Sequence, residues 1–310
     1  MAYNFSDSNE FSNITNKFTN GGTPNDPLQV NYIITIIINI ITSPVTVLLN
    51  VLVIMAVIRR PRLQSYPNIL LACLAATDVL TGLITQPSFI LCGILQLLGM
   101  NESEVTLCSF HYSVLRTLSL CSCLHLMLIT CDRLIAIKFT LRYPHLVTTR
   151  SIKVAVISVW IVSLFPGVFR PINNGLLVTI SFFLVAFAFI FCILFIVVSY
   201  VILYLEILRH RKMIKTQQLP QEEVERFDKE HKALKTTVFV VGAVLLCFVP
   251  VVFILVLRGA GLVMLVSVPW IRTFLIVNSL LNPLIYCWRQ EEMRKFAFRF
   301  KRQAHVLPTN

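Results

Sequence analysis

Few side chains in this sequence could do chemistry, and most of those sit inside or at the ends of long apolar runs. Asp78 lies in the run beginning near Asn68, the adjacent pair Asp132-Arg133 closes the run beginning near Cys108, and Asn278-Ser279-Leu280-Leu281-Asn282-Pro283-Leu284-Ile285-Tyr286 ends the last one. A carboxylate among carboxamides and hydroxyls suits a bound cation or a buried hydrogen-bond network, and an acid beside a guanidinium suits a switchable ion pair. Pro283 removes a backbone donor and frees a carbonyl that hydrocarbon cannot satisfy, so nearby polar groups must, with Asn278, Ser279 and Asn282 as candidates. The sequence offers no nucleophile paired with a base, no metal-ligand cluster and no phosphate-binding loop, so an enzyme is not expected.

The elements that must position these residues are membrane spans. Of 310 residues 56% are hydrophobic and 14% charged, with a mean hydropathy of +0.76, a membrane-protein composition. Apolar runs of about 20 residues, enough to cross a bilayer core, begin near Val30, Asn68, Cys108, Ser151, Leu177, Ala233 and Leu262. The expected fold is an all-α bundle of seven spans over residues 29–289. A polar, disordered leader (1–28) precedes it, and an amphipathic helix (290–302) and a short cytoplasmic tail (303–310) follow. With a polar leader, the first span is expected to act as its own insertion signal.

Basic residues fix the orientation, because short cytoplasmic loops are rich in Lys and Arg. Arg59, Arg60, Arg62, Lys138, Arg142, Arg150, Lys153, Arg209, Arg211, Lys212 and Lys215 fall on one side with the basic tail, which leaves the N-terminus outside. The net charge of +12 is therefore mainly a topology signal, and no nucleic-acid partner is expected. Sequons at Asn4, Asn13 and Asn101 all lie on the outer side, where glycosylation occurs.

The sixth span opens with Asp228-Lys229-Glu230 and later reads Cys247-Phe248-Val249-Pro250, a second proline in mid-membrane. Glu230 is placed to face Arg133 across the cytoplasmic mouth. The simpler alternative is that Asp132 and Arg133 anchor a helix end at the headgroups by snorkelling.

From Val30 to Lys301 the chain resembles the rhodopsin-like (class A) G-protein-coupled receptors. The family's landmarks occur in order: Asn50, Leu74-Ala75-Ala76-Thr77-Asp78, Cys108, Asp132-Arg133, Trp160, Tyr200, Pro250 and Asn282-Pro283-Leu284-Ile285-Tyr286. The resemblance implies a plasma-membrane receptor in which a ligand bound outside and a heterotrimeric G protein bound inside favour the same open bundle. It also implies that Asp132 and Glu230 hold Arg133 at rest and release it toward Tyr200 and Tyr286 as the sixth helix swings out. Asp78, Ser122, Asn278, Ser279 and Asn282 fall on the family's sodium-holding positions, with a plain hydrogen-bond network as the other reading.

Departures from the family pattern are expected to retune the switch. Leu134 stands for the usual tyrosine after Asp-Arg, Phe248 for the usual tryptophan and Cys192 for the usual proline of the fifth span. The link between the fourth and fifth spans contains no cysteine, so Cys108 lacks its customary partner; Cys92 is the other cysteine within plausible reach, and the pair is either bridged or reduced. That short link resembles the melanocortin, cannabinoid and lysophospholipid branch, whereas Asn282 and Cys108 resemble adenosine-like receptors.

Leu115 occupies the position where amine receptors carry an aspartate, and Ile276 that of the retinal-binding lysine, so neither ligand is expected. Two readings stand for Arg116 and Arg272. Either they face the cavity with His111, Ser119, Phe248 and Trp270 and favour an anionic or lipid-like ligand, or they snorkel or bond backbone carbonyls. In Trp288–Phe300, basic residues interleave with Met293, Phe296, Phe298 and Phe300, as in a helix lying on the lipids of the inner leaflet. A receptor-like protein without signalling and, with less support, a transporter are the alternatives; a transporter would need inverted repeats or a continuous polar path, and neither is seen.

Overall fold

The computed structural model describes residues 27–98, 101–139, 142–168, 175–216, 242, 247, 268–289 and 291–296. Regular structure in these residues is entirely helical. The first helix spans Pro27–Arg59 and the second Tyr66–Leu98. The third spans Asn101–Lys138, the fourth Thr149–Val168, the fifth Gly175–Thr216 and the seventh-span helix Val268–Arg289. Five of them carry stretches long and apolar enough to cross a bilayer, including Leu184–Arg209 of the fifth. Glu230, Phe248, Pro250, Asn4 and Asn13 lie outside the described residues.

The third helix is the hub, packing on the second, fourth and fifth, while the first packs between the second and the seventh-span helix. The main core joins Val53, Leu74, Leu126, Ile129, Ile196 and Tyr286 to Met293 and Phe296, so residues 291–296 form a helical segment docked on the end of the bundle where the first helix finishes. Ile33, Ile37, Ile40, Phe187, Phe191 and Leu194 remain exposed, the apolar outer surface a bilayer would cover.

The second helix is interrupted by a π-helical turn at Thr81–Thr85. Gly82 in that turn lies so close to the first helix that a Cβ there would meet Val47 Cγ2 at 2.6 Å. Ser43 Oγ donates to the Gly82 carbonyl at 2.9 Å, so the contact is hydrogen-bonded as well as tight.

Two boundaries depart from the expectation. The third helix opens at Asn101, ahead of the apolar run that begins near Cys108. An asparagine followed by two acids suits the positive end of a helix, which explains the earlier start. The fifth helix continues to Thr216, through the basic residues 209–215 beyond its apolar run, since a charged helix needs no apolar face once it leaves the membrane. At the inner edge, the Lys295 ammonium lies 2.9 Å from Glu291 and holds that exposed carboxyl below its usual range.

Candidate functional site

Near the C-terminal end of the third helix, Asp132 and Arg133 are each 4% exposed. Arg133 donates to Asp132 Oδ2 from Nη2 at 2.6 Å and from Nε at 3.1 Å. Tyr143, in a single helical turn Tyr143–Leu146 of the following loop, donates its hydroxyl to Asp132 Oδ1 at 2.8 Å. Both carboxylate oxygens are thus engaged. The burial departs from the snorkelling alternative, because both side chains fold into protein. Tyr200 packs against the same region with Leu203, Ile207 and Ile137.

A polar cluster occupies the middle of the bundle. Asp78 is fully buried, accepting from Asn282 Nδ2 at 2.9 Å and from Ser122 Oγ at 3.4 Å. Asn278 and Ser279 are also buried, and the side-chain oxygens of Asn278, Asn282 and Asn50 find no hydrogen-bond partner among the described residues. One carboxylate among carboxamide and hydroxyl oxygens is a donor set that a hard monovalent cation fits. Tyr286 is fully buried beneath this cluster.

The carbonyl freed by Pro283 belongs to Ser279, four residues earlier. It accepts from Asn50 Nδ2 of the first helix at 3.1 Å, and not from any of the seventh-span candidates. The correction has a physical cause: the Asn282 carboxamide donates to Asp78, and the neighbouring first helix brings Asn50 to the freed carbonyl.

At the opposite end of the third helix from Arg133, Cys92 and Cys108 form a disulfide with Cα atoms 5.1 Å apart. His111 is fully buried, with Nδ1 3.0 Å from Ser88 Oγ and its ring tilted against Phe89 and Tyr112. Leu115 is buried with Phe89, Ile36 and Ile276, and Ser119 is buried one turn deeper. Arg272, 3% exposed, neither snorkels nor bonds a backbone carbonyl. Its guanidinium carbon lies 4.2 Å from the Tyr112 ring centre, and its Nη2 donates to Tyr112 Oη. Arg116 is half-buried on the same face of the third helix as Tyr112. Trp270 turns away from this group and donates to Asn31 Oδ1 of the first helix at 2.6 Å.

Sequence reasoning missed Tyr112, Tyr143 and a buried network beside Arg272, in which Asn39 Nδ2 donates to Thr273 Oγ1 at 3.2 Å and Gln86 Nε2 to Thr42 Oγ1 at 2.8 Å. The signal for the network was present: carboxamides at Asn39 and Gln86 inside apolar spans are costly unless they pair.

Comparison with known proteins agrees with this architecture. The family model described as 7 transmembrane receptor (rhodopsin family) matches residues 49–175 and 168–286. Among curated relatives, the histamine H2 receptor of Cavia porcellus is 34% identical over 128 residues, 41% of this chain and 35% of the relative's own length. The 5-hydroxytryptamine receptor 1E of Homo sapiens is 32% identical over 126 residues, 41% of this chain and 34% of the relative's. The adenosine receptor A2a of Cavia porcellus is 26% identical over 309 residues, covering 88% of this chain and 73% of the relative. The matches thus span about a third of the histamine and serotonin receptors and most of the adenosine receptor. Matched over most of its length by one receptor model, with helices for all regular structure in the described residues and buried polar groups at one end and at the centre of the bundle, this chain belongs to the rhodopsin family of seven transmembrane receptors and is no enzyme.

Proposed function

We propose that the protein is a plasma-membrane receptor, N-terminus outside, that converts binding of an extracellular ligand into activation of a heterotrimeric G protein. The observation that carries this reading is the pairing of Arg133 with Asp132, in which the carboxylate is braced from its other side by Tyr143. A guanidinium kept out of water and paired with a neighbouring carboxylate can leave that partner only by exchanging it for another, so its pairing marks one of two states. It therefore makes a two-state element that ligand outside and G protein inside can bias together. Glu230, Phe248 and Pro250 complete the element in the sixth span, Tyr200 and Tyr286 receive Arg133 when that span swings out, and Asn282-Pro283 supplies the compliant segment.

Asp78, Ser122, Asn278, Ser279 and Asn282 would hold a sodium ion, whose charge would favour the closed bundle. The ligand is anionic or lipid-like and enters the outer cluster of His111, Leu115, Ser119 and Arg272. An amine is disfavoured by Leu115, which gives an ammonium no counter-charge. Residues 291–296 rest against the lipids of the inner leaflet, and Asn4, Asn13 and Asn101 carry glycans.

The test is G-protein activation in cells expressing wild type beside Arg133→Ala at matched surface levels. A signal that disappears with the substitution supports coupling through Arg133. Silence from wild type at the surface, with and without a panel of anionic lipids, would instead favour a receptor fold that no longer signals.

A further inference from the structure

Arg272 is the most conspicuous charge in the described outer half of the bundle. It is 3% exposed, and its partner Tyr112 is a neutral phenol. A guanidinium has five N–H donors. One is spent on Tyr112 Oη, while Nε and Nη1 have no partner among the described residues. A buried cation whose charge is not compensated is costly, and a counter-ion removes that cost.

The surroundings define what kind of counter-ion fits. Tyr112 fixes the guanidinium by stacking and by hydrogen bonding, which presets the remaining donors before anything binds. From Tyr112 the contacts run through the His111 ring, 5.8 Å away, to Phe89 and the Ser88–His111 hydrogen bond. Beside them Phe89, Leu115, Ile276 and Ile36 form one apolar cluster. A preset cation in apolar surroundings matches an amphiphile with a small anionic head. A single charge on the head balances one guanidinium, whereas a phosphate monoester would bring a second that Arg272 leaves uncompensated.

We propose that Arg272, preset by Tyr112, docks the carboxylate of an amphiphilic acid. This rests on the receptor reading given above and narrows the ligand to a carboxylic acid with an aliphatic or aromatic tail.

The test is thermal denaturation of the purified full chain in nanodiscs of zwitterionic lipid, titrated with butyrate, octanoate, dodecanoate and phenylbutyrate, with their methyl esters and with octyl phosphate. The expected result is a saturable rise in Tm with at least one tailed acid, absent with its ester and weaker with octyl phosphate. Arg272→Gln should raise the apparent Kd by about tenfold or more, and Tyr112→Phe, which keeps the ring and loses the hydroxyl, by a smaller factor. If Arg272→Gln does not fold, Tyr112→Phe and Arg272→Lys carry the comparison, with Lys restoring only part of the affinity. Equal binding of acid and ester, unchanged affinity in the variants, or no shift with any acid would overturn the proposal. The measurement contains no G protein, so its failure leaves the coupling test untouched.

Discussion

Asn50 Nδ2 lies 3.1 Å from the carbonyl oxygen of Ser279, the acceptor that Pro283 leaves without its helical donor. The first helix therefore closes the hydrogen-bond gap in the seventh-span helix, and the same carboxamide also donates to Thr46 O at 2.9 Å. Asn50→Leu should leave that carbonyl buried and unmet, at a cost of about 1–3 kcal/mol. Thermal denaturation in neutral detergent should show the loss, and an unchanged Tm would mean that another donor takes over.

Asp132→Asn should raise ligand-independent coupling, because the carboxamide keeps the shape but loses the charge that holds Arg133. A loss of about 1–2 kcal/mol of bias corresponds to roughly a 5- to 30-fold shift in the closed-to-open ratio. Tyr143→Phe should move basal activity the same way by less, since it removes one brace and leaves the ion pair. Basal nucleotide exchange by a co-reconstituted G protein measures both.

Asp78→Asn should abolish any preference for sodium over choline chloride in the thermal stability of the purified chain. The wild type should be stabilised as sodium rises at constant ionic strength, by mass action on the closed form. Equal stabilisation of wild type and variant would assign the cluster to hydrogen bonding alone.

Cys92→Ser with Cys108→Ser should lower stability by about 3 kcal/mol, the value for a cross-link closing a loop of this size. Peptide mapping without reduction should find the Cys92–Cys108 cross-link in wild type, and the double variant should reach the surface less well.

Gly82→Ala should cost about 1–3 kcal/mol, because the new methyl would strike the stiff, β-branched Val47. A companion Val47→Ala substitution should recover part of that loss in the same melting assay.

Much of the architecture was legible because hydrocarbon makes a simple demand: apolar length gives spans, and Asp78, Asp132 and Arg133 stand out against such a background. What one helix offers another was not legible. Asn50 reads as an isolated polar residue, and only the packing of the first helix on the seventh-span helix brings it to Ser279. Tyr112 reads as an ordinary aromatic until Arg272 is seen to turn inward onto it. Tyr143 lies beyond the third helix, in a loop whose return path depends on a turn too short to carry a periodic signal. The sixth-span residues Glu230, Phe248 and Pro250 remain expectations from the resemblance.

The π turn at Thr81–Thr85 shifts the angular phase of everything beyond it in the second helix. A π turn accommodates about one residue more than an α turn, and each α-helical residue advances about 100°, so the outer half is rotated relative to an uninterrupted helix counted up from Asp78. Ser88, Phe89 and Cys92 face His111 and Cys108 in that shifted frame. The wall that the second helix presents to His111 and Cys108 is therefore set by a local change in winding as much as by the residues on it. Deleting one residue from Thr81–Thr85 would leave the span hydrophobic and long enough, yet turn Cys92 away from Cys108 and expose a different set of side chains to the outer cluster.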